Sequence, residues 1–266
     1  MEQIKLKDIN LNSLKKLQQQ GTKSTVYRNG TSCIKMLDGF YEEEKDALFK
    51  KFLDMEGLEI DNVLLPKELI VSNGKLEGYT MDYFPSVSLN DKFEVRHVDT
   101  KVLFDYVYKA SKILREIHRN GIICQDLSFE NILVDDNGNV KFCDLDGCSY
   151  KDNVSPFVSL IMKRYFIDYR KEQILLCTNL DRVGMMLSFF FVVYAKELQK
   201  LNRKSYSKLA EKSNTLEEMR KYANLLLDRS NPVPAIPYLD ELIWLDDDLV
   251  YDRDKQLSLF RRLIRR

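Results

Sequence analysis

The chain has 266 residues, 44% of them apolar, and its 41 basic residues are balanced by 41 acidic ones. That length can bury one large core or two modest ones. The neutral balance speaks against a nucleic-acid partner held by bulk charge, leaving only a local basic patch such as the Arg-Arg-Leu-Ile-Arg-Arg end, which also reads as a solvated last helical turn.

Residues 1–11 alternate charged with apolar residues and hold no continuous hydrophobic stretch, so no secretory leader is expected. The short β-branched or aromatic stretches STVYR, SCIKML, KELIVS and LEGYTMDYF follow, separated by Asn-Gly turns, and they predict a small antiparallel sheet. Between the second and third stretches, FYEEEKDALFKKFLDME sets Phe40, Ala47, Leu48, Phe52 and Met55 at roughly helical spacing, which predicts one helix packed on that sheet. Lys35 alone interrupts an apolar strand that should face the core, so it needs an acidic partner.

The pattern changes near residue 85. Val102, Phe104, Val107, Ala110, Ile113, Leu114 and Ile117 mark a long amphipathic helix ending at Asn120-Gly121. His97 and His118 are the two histidines; His118 falls on the inner face of that helix, where a packed, hydrogen-bonded role is expected. The longest apolar run, VGMMLSFFFVVYA at 183–195, is too short to cross a bilayer and reads as a helix buried in protein, with Asp181 placed to cap its first turn. Helical periodicity dominates from residue 180 onward, where Trp244 and its neighbours complete the lobe around an Asn231-Pro-Val-Pro loop. A sheet-rich lobe over 1–84 followed by a helix-rich lobe over 85–266 implies a cleft between them, where ligands tend to bind. Five cysteines (Cys33, Cys124, Cys143, Cys148 and Cys177) are an odd set, nearly all in apolar runs, and read as reduced core thiols of a cytoplasmic protein; a Cys143/Cys148 metal pair fits the strand pattern less well.

Residues 132–134 and 140–143 are two short strands joined by Asp-Asp-Asn-Gly-Asn, the chemistry of a hairpin turn. Asn131 precedes the first strand and Asp144 follows the second. At the open end of a hairpin such positions lie side by side, with α-carbons about 5 Å apart. An amide oxygen and a carboxylate so placed can share a hard cation such as magnesium. Asp126, five residues before Asn131, projects toward the same space. An ordinary acidic hairpin with solvated ends is the alternative.

CQDLSFENILV followed by KFCDLDG resembles the catalytic loop and metal-binding segment of the protein kinase superfamily, whose pattern is His-Arg-Asp-Leu-x-x-x-x-Asn and then Asp-Phe-Gly. Asp126, Asn131 and Asp144 match; Cys124 and Gln125 stand at the His-Arg positions, and Leu145 and Asp146 at Phe-Gly. QQQGTKSTVYRNGTSCIKML resembles the nucleotide-covering hairpin and lysine strand, with Gly21, Ser24 and Val26 over the nucleotide and Ser24 where a further glycine is usual. The resemblance implies an α+β, bilobal protein-kinase-like fold, with a small antiparallel-sheet N-lobe carrying one main helix and a mainly helical C-lobe. It implies ATP and magnesium as cofactors. Lys35 would hold the α- and β-phosphates and pair with a glutamate of the following helix, for which Glu44 is chosen over Glu43. Met81 would back the adenine pocket, the backbone at Asp82 and Phe84 would meet the adenine edge, and Asp181 would anchor the catalytic loop. Asn131 and Asp144 would carry magnesium, and Asp126 would be the base.

The departures carry information as well. Gln125 replaces the arginine that pairs with a phosphorylated activation loop, so activation gated in that way is not expected. Ser128 replaces a lysine typical of serine/threonine kinases. No Ala-Pro-Glu follows, and only Glu172 offers a substitute. Asp146 either adds a metal oxygen or sits in a turn. Three function classes stay open: a kinase of protein serine or threonine hydroxyls, a kinase of a small molecule such as a sugar, choline or aminoglycoside, and a nucleotide-binding pseudokinase.

Overall fold

The first lobe contains six strands: β1 (Glu2–Lys5), β2 (Lys15–Lys16), β3 (Thr25–Asn29), β4 (Ser32–Met36), β5 (Glu68–Ser72) and β6 (Lys75–Asp82), in the sheet order β1-β5-β6-β4-β3-β2. The computed structural model describes residues 1–17, 23–94, 100–153, 178–194, 222 and 235–242. The β5–β6 turn places Asn73 and Gly74 at φ +50° and +78°, the two positive values that a two-residue type I′ hairpin requires. The four stretches expected from sequence are β3 to β6. β1 was not expected: it pairs parallel with β5, Glu2 opposite Glu68, so the sheet is mixed at one edge. Leu6, Ile9, Leu11 and Leu14 follow β1 and pack on Ile34, Met36 and Ile70, covering the sheet face turned away from the helix.

That helix, α1 (Glu42–Asp54), lies between β4 and β5 and packs on β6. Its first turn holds Glu42, Glu43 and Glu44, favourable at the positive end of the helix dipole, and Glu44 Oε2 accepts the Tyr41 N–H at 2.9 Å. The buried face is Lys45, Leu48, Lys51, Phe52 and Met55. Ala47, expected inside, is exposed; the stripe runs i, i+3, i+4, i+7 from Leu48 and takes in Lys51 instead.

The second lobe opens with β7 (Val87–Ser88), α2 (Leu89–Glu94) and α3 (Thr100–Arg119), which ends against Gly121 at φ +77°, the left-handed stop expected there. Phe104, Val107, Ala110, Ile113, Leu114 and Ile117 of α3 are buried; Val102 is not. β8 (Ile122–Ile123) pairs with β11 (Ser149–Tyr150). Between them β9 (Ile132–Val134) and β10 (Val140–Phe142) form the expected hairpin, joined on one edge by β7. Its turn is fixed by Asp135, whose Oδ1 accepts the N–H groups of Asn137 and Asn139 at 2.9 and 2.7 Å. α4 (Thr178–Tyr194) and α5 (Leu239–Leu242) pack against α3.

The lobes share one apolar core running from Leu37, Phe52 and Leu69 to Ile117, Phe142 and Met186. A backbone clasp adds to it: Leu64 N–H donates to Phe142 O at 2.8 Å, and Phe142 N–H to Asn62 O at 2.9 Å. The hairpin is thereby fastened to the segment after α1. Among the described residues no helix is long and apolar enough to cross a membrane. Gly21, His97, Glu172, Cys177, Trp244, the 231–234 loop and the basic end lie outside the described residues.

Candidate active site

Lys35 stands one residue before the end of β4, flanked by Val26 on β3 and Tyr79 on β6. Gly78, next to Tyr79, lets the strands close on the lysine: a Cβ there would lie 2.4 Å from Lys35 O. The side chain is buried, and its Nζ reaches Asp144 Oδ1 at 2.5 Å and Asp146 Oδ2 at 2.7 Å. Asp146 Oδ1 accepts the Tyr79 hydroxyl at 2.6 Å. Burial alone would drive the proton off Lys35, but Asp146, then Tyr79 and Asp144, outweigh it and hold the ammonium well above its ordinary range. Burial, followed by the Asp146 charge, raises the Tyr79 phenol well above its usual range, so it remains a donor. Losing one partner of such a buried pair costs about 3–5 kcal/mol.

The two carboxylates come from the segment after β10. Asp144 sits at φ +60°, ψ +51°, a left-handed conformation that β-branched residues avoid, and opens the 3-10 turn Leu145–Gly147. Its side chain is 45% exposed and that of Asp146 only 6%, so the first can receive a ligand and the second cannot readily do so. The ladder pairs Ile132 with Phe142, and Cys143 N–H donates to Asn131 O at 3.0 Å, so Asn131 lies opposite Cys143 and Asp144 is one residue further on. The direct Asn131/Asp144 pairing expected from the hairpin is displaced by that one residue. Asn131 Nδ2 donates to Asp126 O at 2.9 Å, which fixes the amide. Asp126 is exposed at the loop surface. Burial, aggravated by the Asp144 charge, pushes the Cys143 thiol up to about 12.

The catalytic-loop backbone hangs on Asp181. Its carboxylate accepts the N–H groups of Cys124 and Gln125 at 2.6 and 2.7 Å. α4 starts three residues earlier, at Thr178, so Asp181 is an interior residue of the helix and not its cap. Its Oδ2 also meets His118 Nε2 at 2.9 Å, and His118 Nδ1 meets the Tyr238 hydroxyl at 2.8 Å. An imidazole from α3 thus accompanies this carboxylate while Cys124 occupies the motif's histidine position. Gln125, at φ +58°, is buried and accepts Ser149 Oγ at 2.8 Å; its Nε2 has no hydrogen-bond partner among the described residues.

The pairing of Lys35 with Glu44 is not found. Glu44 lies at the very start of α1, held by Lys23 Nζ at 2.7 Å and by the Tyr41 N–H. Burial alone would push its carboxyl up, yet the Lys23 bond and the Tyr41 N–H hold it below the usual carboxylate range. The α1 residue that reaches the site is Lys51, buried, donating to Asp146 O at 2.6 Å and Cys148 O at 2.8 Å. Sequence reading missed Lys51, Tyr79 and the contact of Asp146. The signals for two of them were present, Lys51 in phase with Leu48 and Met55, and the second aspartate of Asp-Leu-Asp.

Around the expected nucleotide pocket, Val26 is half-buried and packs on the core, and Ser24 is half-buried at the entry to β3. Gly21 falls outside the described residues. Met81 is buried beside Cys33, Asp82 ends β6 in an exposed ion pair with Lys67 at 2.7 Å, and Phe84 O accepts Ser86 Oγ at 2.9 Å. Among the described residues no three His, Cys, Asp or Glu side chains cluster as a metal site. Asn131 and Asp144 still fit a magnesium that keeps other oxygen ligands: both offer hard oxygens, and the Lys35 ammonium already stands against Asp144 as a positive charge.

Residues 15–153 match the family model described as protein tyrosine and serine/threonine kinase. Serine/threonine-protein kinase OXI1 of Arabidopsis thaliana is 26% identical over 113 residues, 39% of this chain and 26% of that protein. Serine/threonine-protein kinase STE20 of Debaryomyces hansenii is 25% identical over 150 residues, 51% of this chain and 13% of that protein. The matched regions are thus about a quarter and an eighth of those relatives.

Proposed function

The chain belongs to the protein tyrosine and serine/threonine kinase family, and on that premise we propose that it transfers the γ-phosphoryl group of ATP to a serine or threonine hydroxyl of a protein. The observation that carries this is the meeting of Lys35 with Asp144 at 2.5 Å, two residues 109 apart in sequence that reach each other from opposite lobes.

Lys35 neutralises charge on the α- and β-phosphates. Asn131 and Asp144 would hold magnesium, which would supply positive charge against the phosphate oxygens of ATP. Asp126 orients the acceptor hydroxyl and takes its proton. The bond from the γ-phosphorus to the β–γ bridging oxygen breaks, the hydroxyl oxygen takes its place on phosphorus, and ADP leaves. Asp181 acts earlier, holding the loop that carries Asp126. Nearly all of this is positioning and electrostatic stabilisation, the terms that dominate phosphoryl transfer.

A small-molecule hydroxyl is the second reading, favoured by Ser128 where serine/threonine kinases carry a lysine. Incubation with γ-labelled ATP and magnesium separates the two. Label on the chain itself or on a generic serine/threonine protein substrate supports the protein-kinase reading; label on a sugar, choline or aminoglycoside supports the other. Nucleotide binding with no transfer to any acceptor overturns both.

A further inference from the structure

We propose that Asp146, and no residue of α1, is the carboxylate that positions Lys35. This rests on the kinase reading of the site and deepens it by naming the positioning residue.

The geometry favours Asp146 on three counts. Its side chain is as buried as that of Lys35, at 6% exposure for each, and the two meet at 2.7 Å. Its other oxygen is fixed by the Tyr79 hydroxyl at 2.6 Å, and Tyr79 is the strand neighbour of Lys35, so lysine and carboxylate are both referenced to one strand pair. Its main chain is fixed by Lys51, which bonds the carbonyls of residues 146 and 148 from α1. Asp144 also holds Lys35, but it is half exposed and is the residue assigned to magnesium. When Asp144 turns to a metal, Asp146 remains on the lysine, so Lys35 does not lose its counter-charge at the moment it must bind phosphate. Glu44 offers no such service while Lys23 and the Tyr41 N–H occupy both its oxygens. The glutamate's usual task has passed from the helix to the metal-binding segment, and α1 contributes a cation to that segment instead.

A double-mutant cycle tests this without any need for turnover. Melting temperatures are compared for the wild type, Asp146→Asn, Glu44→Gln and Lys35→Met, and for each of the two carboxylate variants combined with Lys35→Met. Asp146→Asn should lower the melting temperature by about 6 °C or more in the wild type and by less than half of that in the Lys35→Met background, because the partner it serves is already gone. Glu44→Gln should shift it equally in both backgrounds. Tyr79→Phe, which frees the other Asp146 oxygen, serves as the second probe if Asp146→Asn does not fold, with the same dependence on Lys35 expected. Equal shifts for Asp146→Asn and Tyr79→Phe in both backgrounds, or coupling of Glu44 with Lys35 in their place, overturn the proposal. Phosphoryl transfer by the wild type is scored separately: its absence would sink the kinase reading while the cycle still decides which carboxylate holds the lysine. In an active enzyme Asp146→Asn should raise KM for ATP at least about tenfold with kcat changed less, and Asp146→Glu should recover part of the loss, a split that loss of packing alone does not cause.

Discussion

Two elements flank Lys35, and they serve it differently. The segment after β10 supplies both of its carboxylates within three residues, whereas α1, thirteen residues long and rich in glutamate at its start, supplies none. The contrast follows from where each element is anchored. The β9–β10 hairpin is tied to its own turn by Asp135, to the segment after α1 by the Leu64–Phe142–Asn62 clasp, and to the catalytic loop through Asn131. α1 presents its last turn to the site, so Lys51 reaches the segment after β10 while Glu44 and Glu42, at the other end of the helix, face Lys23 and Lys75. An acidic sequence beside a lysine strand is therefore a poor guide to the lysine's partner; the partner is chosen by which part of the helix faces the cleft.

The largest effects should come from the hairpin side. Asp144→Ala and Asp126→Ala are each expected to lower turnover by about a thousandfold or more, roughly 4 kcal/mol of barrier, measured as initial rates with saturating ATP and magnesium. A fall of less than tenfold for either would break the contrast at its stronger end. On the helix side, Lys51→Met strands the carbonyls of Asp146 and Cys148, and the expected loss is about 2 kcal/mol, a melting point lower by about 4–8 °C in a chain of this size. An unchanged melting point would show that Lys51 is not what ties α1 to the turn. Glu44→Gln should change KM for ATP by less than about threefold, since its ion pair with Lys23 is partly exposed and such pairs contribute about 0–1 kcal/mol.

The cysteine thiols sharpen the picture from another side. Cys143 is held at about 12 by burial and the neighbouring Asp144, and Cys33 and Cys148 at about 11 by burial. A thiol that ionises near about 8.5 when unfolded keeps its proton longer in the folded chain, so above that pH the unfolded state is favoured progressively. Stability should therefore fall with rising pH from about 8.5 towards 12. Iodoacetamide should alkylate Cys143 at pH 8 on the order of a thousandfold more slowly than in the denatured chain, read by peptide mass spectrometry. Equal rates would place Cys143 in solvent.

Legibility followed the range of the interactions. The hairpin could be read because its turn, its strands and its flanking oxygens all lie within some twenty consecutive residues and obey local rules. α3 could be read because its apolar stripe and its glycine stop are equally local. β1 could not: Glu-Gln-Ile-Lys carries no strand signal of its own and becomes a strand by pairing with β5 more than sixty residues away. The one-residue offset of Asn131 from Asp144 was invisible because the ladder's register depends on where the strands begin, the least certain feature of any sequence reading. The Lys35–Asp146 pair lay further out of reach, since it depends on how two lobes sit together. His118 gave a partial signal: its inner-face position pointed to a hydrogen-bonded role, but only the fold brings Asp181 and Tyr238 to it.

The central claim is that Lys35 and Asp144 close a magnesium- and ATP-dependent phosphotransfer site between the lobes. Its most direct test is γ-phosphoryl transfer from labelled ATP to a serine/threonine protein substrate, with magnesium titrated from zero, in the wild type and Asp144→Ala. Label that rises with magnesium in the wild type and disappears in Asp144→Ala is the result predicted; transfer by Asp144→Ala at the wild-type rate would contradict the claim.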